Sequence, residues 1–230
     1  MTRKKLIVLT GAGISAESGL KTFRDSDGLW EGYDLEEVAT PRAWKKNPGL
    51  VLEFYNMRRR NVIDAAPNDA HYILAELEQH FDVTIITQNI DDLHERAGSS
   101  NILHLHGEIR KMRSEKDEAL IYPIDGDIRL GDTAGDGAQL RPHIVWFEEP
   151  VPLITEAARI AGSADLFLIV GTSLLVYPTA GLVDFVHPAR PKFIVDKKVP
   201  ATGLRELTVI EAPATEGMRL LRERLLAQYC

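Results

Sequence analysis

Four stretches of this chain of 230 residues carry side chains that could do chemistry. The first is Thr10-Gly11-Ala12-Gly13-Ile14-Ser15-Ala16-Glu17-Ser18-Gly19, which follows the apolar run Lys5-Leu6-Ile7-Val8-Leu9. Glycines let a backbone come close to a pyrophosphate, and the free N–H groups of a following helix bind it. A dinucleotide site is one reading; a tight strand-to-helix turn without a ligand is the other. The spacing is not that of a hydride-transfer fingerprint, because Gly19 stands six residues past Gly13 and no acid-ended second strand follows at the expected distance. The second stretch, Thr87-Gln88-Asn89-Ile90-Asp91-Asp92, ends an apolar run. In open α/β sheets ligands sit at the carboxyl ends of strands; Asn89 and Asp91 could equally cap a helix. The third, Asn101-Ile102-Leu103-His104-Leu105-His106-Gly107-Glu108, places His104 and His106 on one face at period two. An imidazole titrates near working pH and can act as a general base. Residue chemistry does not choose between the two histidines, nor between a base and a satisfied core histidine. The fourth is the pair Tyr55 and Arg58, at i and i+3 on one helix face. A guanidinium fork grips a carboxylate, and a phenol adds a third hydrogen bond; a solvated basic face over Arg58-Arg59-Arg60 is the alternative.

The elements that must position these groups alternate between strands and helices. Short branched aliphatic runs at 5–9, 81–86, 101–108, 164–170, 192–196 and 207–210 read as strands, the first a buried parallel one. Helices are expected over 48–64, capped by Asn47 with Pro48 in the first turn, and over 68–80, capped by Asn68. His71 lies in the second of these and is assigned a structural role. An amphipathic helix is expected at 152–163, with Ile154, Ala158, Ile160 and Ala161 inward, and a closing helix at 215–228. Trp30, Tyr33 and Trp44 anchor a loop with short helical pieces. The fold class is α/β, a Rossmann-like parallel sheet with helices on both faces and a small inserted lobe. The core is assigned to residues 1–30, 66–108 and 141–230, and the lobe to 31–65 and 109–140.

Composition narrows the function classes. A net charge of −7 and a pI near 5.5 argue against a general nucleic-acid binder. The single cysteine, Cys230, forms no disulfide within the chain and no cysteine metal cage. No apolar run approaches membrane-spanning length. The basic start before a short apolar run lacks the pattern of a signal peptide, so a cytoplasmic monomer is expected.

The chain resembles the sirtuin family of NAD-dependent protein deacylases. The resemblance rests on Gly11-Ala12-Gly13-Ile14-Ser15-Ala16-Glu17-Ser18-Gly19 with Phe23-Arg24, on Thr87-Gln88-Asn89-Ile90-Asp91, on Leu105-His106-Gly107, on Arg141-Pro142 and on Gly171-Thr172-Ser173-Leu174, in the family's order. It implies NAD as cofactor and acylated lysine in protein or peptide as substrate. The products are free lysine, nicotinamide and an O-acyl-ADP-ribose. His106 becomes the general base, and Asn89 joins it in catalysis. Asn89 and Asp91, with Ile90 between them, line the nicotinamide pocket. Gly11, Ala12, Gly13, Ser15, Glu17, Ser18, Phe23, Arg24, Gln88, Gly171, Thr172 and Ser173 complete the cofactor site. Asp196, where the family commonly has asparagine, meets the adenosine ribose, and Ala214 supplies a backbone contact to adenine. Val145, Phe147 and Leu175 hold the substrate peptide, with 174–178 as one wall of the cleft. Tyr55 and Arg58 mark the class that prefers succinyl- and malonyl-lysine.

Two departures stand out. Where most sirtuins carry two Cys-x-x-Cys pairs for one structural zinc, 109–140 has no cysteine. A metal-free hairpin of 119–123 and 128–130, joined by Asp125-Gly126, is expected in its place; its aspartates lack the spacing of a calcium loop. Glu148 also replaces the glycine that usually follows the phenylalanine. Three rivals remain: an NAD-dependent ADP-ribosyltransferase, a non-catalytic NAD-binding module and, with its fingerprint broken, an ordinary dehydrogenase.

Overall fold

Strand Lys5–Thr10 is buried along five of its six residues, because its aliphatic side chains meet helices on both faces. The computed structural model describes residues 3–21, 29–30, 32–172, 174, 176–199 and 202–230. Its elements run β1 (Lys5–Thr10), β2 (Leu29–Trp30), β3 (Tyr33–Asp34), α1 (Leu35–Val38), α2 (Pro41–Lys46), α3 (Pro48–Asp64), α4 (Asp69–Leu77), β4 (Asp82–Thr87), α5 (Leu93–Ala97), β5 (Ile102–His104), β6 (Gly107–Ser114), β7 (Ile121–Pro123), β8 (Leu140–Ile144), α6 (Ile154–Gly162), β9 (Leu166–Val170), β10 (Lys192–Asp196), β11 (Leu207–Glu211) and α7 (Ala214–Tyr229).

The main sheet has the order β11-β10-β9-β1-β4-β5, and every pairing in it is parallel. The chain builds outward from β1 to β4 and β5, then crosses back to β9, β10 and β11. The order therefore reverses between β1 and β9, which places a ligand crevice at their carboxyl ends. Leu6 and Val8 pack with Leu74, Phe81 and Met218 on one face. Ile7 and Leu9 pack with Ala157, Ala161 and Leu182 on the other. Each such fully buried aliphatic side chain contributes roughly 1.5–3 kcal/mol of transfer free energy.

The small lobe has its own core, with α1–α3 against the antiparallel sheet β7-β6-β8. Trp44 and Trp146 rings lie 5.7 Å apart inside it. Among the described residues, no helix is long and apolar enough to cross a membrane.

The structure changes several expectations. The single strand expected over 101–108 is two: β5 ends in the main sheet and β6 begins in the lobe. They part at Gly107, whose φ of 81° favours glycine and where an added Cβ would sit 2.1 Å from His143 O. Residues 141–144, assigned to the core, belong to β8, which pairs with β6, so the lobe sheet covers 107–144. The hairpin expected between 119–123 and 128–130 does not form; β7 pairs with β6. The reason lies on α3. The Asn56 side chain takes both Ile128 N, at 3.0 Å, and Ile128 O, at 2.9 Å, leaving that residue nothing for a ladder. In α6 the buried residues are Ala157 and Ala161, whereas Ile154, Ala158 and Ile160 are half-buried.

Candidate active site

The first glycine turn does not open an α-helix. It forms two single turns of 3-10 helix, Ala12–Ile14 and Ala16–Ser18, the second stopped by Gly19 at φ 88°. It interlocks with the turn after β9. Gly13 N donates to Gly171 O at 2.8 Å and Gly11 N to Val170 O at 3.1 Å. A Cβ on Gly13 would lie 2.6 Å from Gly171 Cα, and one on Gly171, at φ 65°, 2.2 Å from Ile14 N. Side chains at either position would wedge the two turns apart.

A cavity of about 490 Å³ opens over these turns. On its floor Thr10 Oγ1 donates to Thr87 Oγ1 at 2.8 Å, and Thr87 Oγ1 accepts from Asn89 N at 3.0 Å. The Asn89 amide donates to Gly11 O and Ser15 Oγ, both at 3.2 Å. Ser15 Oγ in turn donates to Asp91 Oδ2 at 3.1 Å, while Asp91 Oδ1 accepts from Leu93 N at 3.2 Å. Burial raises the Asp91 pKa, opposed by those two hydrogen bonds and by His104. Behind Ser15 stands buried His71. Its Nδ1 accepts from Asn68 N at 3.3 Å, which leaves Nε2–H to face Ser15 Oγ at 3.5 Å. The His71 pKa falls to about 4 through burial, against the Asn68 bond.

His106 Nδ1 lies 2.9 Å from Gln88 O. A carbonyl only accepts, so Nδ1 carries the hydrogen and Nε2 the lone pair. Burial lowers the His106 pKa, with the Gln88 carbonyl opposing. The ring is therefore a neutral acceptor near pH 7. Gln88 also bridges to the second turn, its Nε2 donating to Thr172 Oγ1 at 3.1 Å.

The predicted cofactor residues Gly11, Ala12, Gly13, Ser15, Gln88, Asn89, Ile90, Asp91, Gly171, Thr172, Asp196 and Ala214 all line this one cavity, as does His106. Two predicted residues do not. Glu17 caps α7, accepting from Thr215 N at 3.0 Å and Thr215 Oγ1 at 2.8 Å. Ser18 Oγ accepts from Asn68 Nδ2 at 3.0 Å. Both hold the scaffold together. Phe23, Arg24, Ser173 and Leu175 lie outside the described residues. Lys197 and Lys198 line the cavity unforeseen; their place just past the carboxyl end of β10 was the signal that could have found them.

The far wall comes from the lobe. Tyr55 and Arg58 of α3 line the same cavity, together with Val145, Phe147 and the expected wall residues Val176, Tyr177 and Pro178. Tyr55 packs edge-on against Phe54 at 5.1 Å and lies 6.4 Å from Trp146. Burial pushes its pKa up to about 12, against the charges of Arg58 and Arg141. The Arg58 guanidinium stands 5.7 Å from the Phe54 ring centre. Beneath them Arg141 lies 3.3 Å from the Trp146 ring centre and forks to Glu149 at 2.8 and 3.2 Å. Glu149 also accepts from Trp146 N at 2.8 Å, which ties down the loop carrying Phe147.

Interlocked glycine turns at a switch point, an amide and a buried acid side by side, and a neutral imidazole within one cavity fit a dinucleotide cofactor. The Sir2 family profile matches residues 11–178. A Helicobacter pylori protein named NAD-dependent protein deacylase is 54% identical over 224 residues, covering 97% of this chain and 98% of its own. A Bacteroides thetaiotaomicron protein of the same name is 49% identical over 230 residues, at 97% and 98% coverage. Among solved structures, a Sir2 homologue–NAD complex superposes with a TM-score of 0.87 at 36% identity, covering 99% of this chain and 91% of that one. A Sir2 complex with a deacetylated peptide and 3'-O-acetyl ADP-ribose superposes with a TM-score of 0.80 at 30% identity, covering 96% and 94%. Sequence motifs, sheet order and cavity converge, and the chain belongs to the Sir2 family of NAD-dependent protein deacylases.

Proposed function

We propose that this chain removes acyl groups from protein lysines and favours those that end in a carboxylate, such as succinyl and malonyl, while also taking acetyl. One observation carries the acidic preference: Tyr55 and Arg58 line the same cavity as His106 and Asn89. A phenol with its pKa near 12 is neutral at working pH, so it donates to an acyl carboxylate instead of repelling it. The guanidinium supplies the countercharge.

Bound NAD supplies a nicotinamide N-glycosidic bond whose cleavage opens the ribose carbon to the acyl oxygen. The chain's part is to hold and to move protons. The Asn89 amide and Asp91 carboxylate would hold the nicotinamide carboxamide. The Gly11–Gly13 and Gly171–Thr172 turns would hold phosphate and ribose, and Asp196 would accept from the adenosine ribose. His106 would take a ribose hydroxyl proton at Nε2, its ring orientation set by the Gln88 carbonyl. Val145 and Phe147 would flank the substrate backbone as an added strand.

The test is Arg58→Met, assayed on succinyl- and acetyl-peptides. Losing one charge-assisted contact should lower kcat/KM for the succinyl-peptide by roughly tenfold or more, with acetyl turnover within about twofold. Equal losses on both would remove the acidic preference. We also propose that the small lobe folds without zinc, since the chain offers a single cysteine, Cys230.

A further inference from the structure

His104 ends β5 and reaches back to the loop after β4. Its Nδ1 lies 3.1 Å from Asn89 O, and its Nε2 lies 2.7 Å from Glu95 Oε1 on α5. A backbone carbonyl and an ionised carboxylate are acceptors only. Both ring nitrogens must therefore carry hydrogen, and a neutral imidazole can satisfy just one of the two partners. The side chain is 9% exposed, so water is a poor substitute for either. His106, two residues on and past the end of β5, makes the matching contact one residue earlier, to Gln88 O. Two histidines thus grip successive carbonyls of one loop, and only His104 grips as a cation.

We propose that His104 is a positioning residue: as an imidazolium clamped between Asn89 O and the Glu95 carboxylate, it fixes the loop that presents Asn89 and Asp91 to the cofactor. This rests on the reading that Asn89 and Asp91 hold nicotinamide. Releasing the clamp would let the Asn89 backbone drift while the Thr87 and Ser15 anchors of its N–H and side chain remained.

The charged and titratable groups around the ring agree with that assignment. They are Glu95 and His94 of α5, Asp91 of the loop and Glu108 of β6, which is itself paired with Lys111. Burial works against the charged ring, yet the Glu95 hydrogen bond and charge, with Glu108 and the Asn89 carbonyl, raise the His104 pKa. Burial likewise opposes the Glu95 charge, yet His104 holds the Glu95 pKa below its ordinary value. The clamp is therefore complete between the lowered Glu95 pKa and the raised His104 pKa, and opens as pH rises through the latter. The His104 charge also favours the ionised form of buried Asp91, so the same proton helps keep that carboxylate an acceptor.

Two single substitutions split the clamp, because an asparagine amide reaches as far as Nδ1 and a glutamine amide as far as Nε2. His104→Asn keeps a donor for Asn89 O, and His104→Gln keeps one for Glu95 alone. A third, Glu95→Gln, removes the countercharge at a carboxylate that is 42% exposed. Each variant is checked by thermal melting, then assayed for the KM for NAD and for inhibition by nicotinamide between pH 6 and 9.5. His104→Gln should raise both the KM and the half-inhibitory nicotinamide concentration about fivefold to tenfold, the worth of one ordinary hydrogen bond. His104→Asn should stay within about twofold of the native enzyme and lose the alkaline limb of its kcat/KM profile. Glu95→Gln should move that limb to lower pH. Identical behaviour of His104→Asn and His104→Gln, or a Glu95→Gln profile superimposed on the native one, overturns the proposal. If His104→Gln does not fold, the Glu95→Gln profile decides alone. Asn89→Ala separates the two levels of failure. If it leaves nicotinamide inhibition unchanged, the reading of the loop falls and the clamp with it. If it weakens inhibition while His104→Gln does not, the clamp alone falls.

Discussion

Glu148 has a φ of 71°. The left-handed region costs a residue with a Cβ about 1–2 kcal/mol, which is why glycine suits this place after Phe147. What Glu148 gains is a fork from Arg42, at 3.2 and 2.5 Å, and Arg42 reaches on to Glu36 at 2.8 Å. The Arg42 and Glu148 side chains are 66% and 45% exposed, so water and salt screen that pair and it contributes little. Strain outweighs the ion pair. Glu148→Gly should therefore stabilise the protein by up to about 1 kcal/mol, raising the melting temperature by roughly 2–4 °C. A fall in melting temperature would mean the Arg42 fork matters more than the backbone. Legibility at this scale was uneven for a definite reason. His106, Asn89, Asp91 and the paired glycines are recognisable because a strand end and a turn, both local features, bring them to the cavity. Glu17 and Ser18 sit in the same motif but turn to other duties. The Glu17 partner, Thr215, lies 198 residues away, and no local pattern announces it.

The clearest element is α3. Pro48, the Asn47 cap and the apolar spacing marked its bounds at Pro48–Asp64, and Asn47 Oδ1 accepts from Leu50 N at 3.1 Å as such a cap should. Its run of three arginines was harder to read. At 100° per residue they face three ways. Arg58 is half-buried at the cavity wall, Arg60 is exposed and meets Asp127 at 2.6 Å, and Arg59 is 0% exposed. Arg59 donates to Ile109 O at 2.7 Å, Asn56 Oδ1 at 2.8 Å and Gly126 O at 3.1 Å. Burial lowers its pKa to about 10, against the pull of Asp127, and the group stays charged at pH 7. Arg59 and Asn56 thus pin both ends of the 109–128 segment to α3. A pin of this kind can take the place of a metal in a lobe whose sheet has only three strands. The expected outcome is that EDTA leaves the melting temperature of the native protein unchanged and elemental analysis finds well under one zinc per chain. Arg59→Leu should lower stability by about 2–4 kcal/mol, because buried Ile109 O and part-buried Gly126 O lose a donor and Asn56 Oδ1 keeps only Ile128 N. A chelator-sensitive melt would place a metal in the lobe and end the argument.

At the scale of the molecule, the parallel sheet followed from alternating strands and helices, whereas its order β11-β10-β9-β1-β4-β5 comes from the structure. The split between β5 and β6 did not follow, since one glycine in a continuous apolar-and-histidine pattern carries it. The buried histidines behind the crevice contribute to how the whole protein responds to acid. His71 is 0% exposed, its ring centre is 5.0 Å from that of His94, and burial depresses the His94 pKa as well, helped by the charges of His71 and His104. A histidine whose folded pKa is depressed binds fewer protons than the unfolded chain between the two values. Its contribution is complete above the unfolded pKa and is lost as pH falls through the folded one. For His71, from 6.5 down to about 4, that loss is roughly 3 kcal/mol. His104 acts in the opposite sense, stabilising below its unfolded pKa and losing that as pH rises through its raised value. Asp91, also raised, has the same sign as His104 but at lower pH, so it offsets part of the acid-side slope. Comparing variants removes that offset. Urea midpoints taken every half unit from pH 4 to 8 should fall towards acid in the native protein. His71→Gln, which keeps a donor for Ser15 but cannot take up the proton, should flatten the slope between pH 6.5 and 4. It should close most of its stability gap to the native protein by pH 4. Parallel curves for the two proteins would show that His71 does not titrate on unfolding, and acid sensitivity would then have to come from the carboxylates.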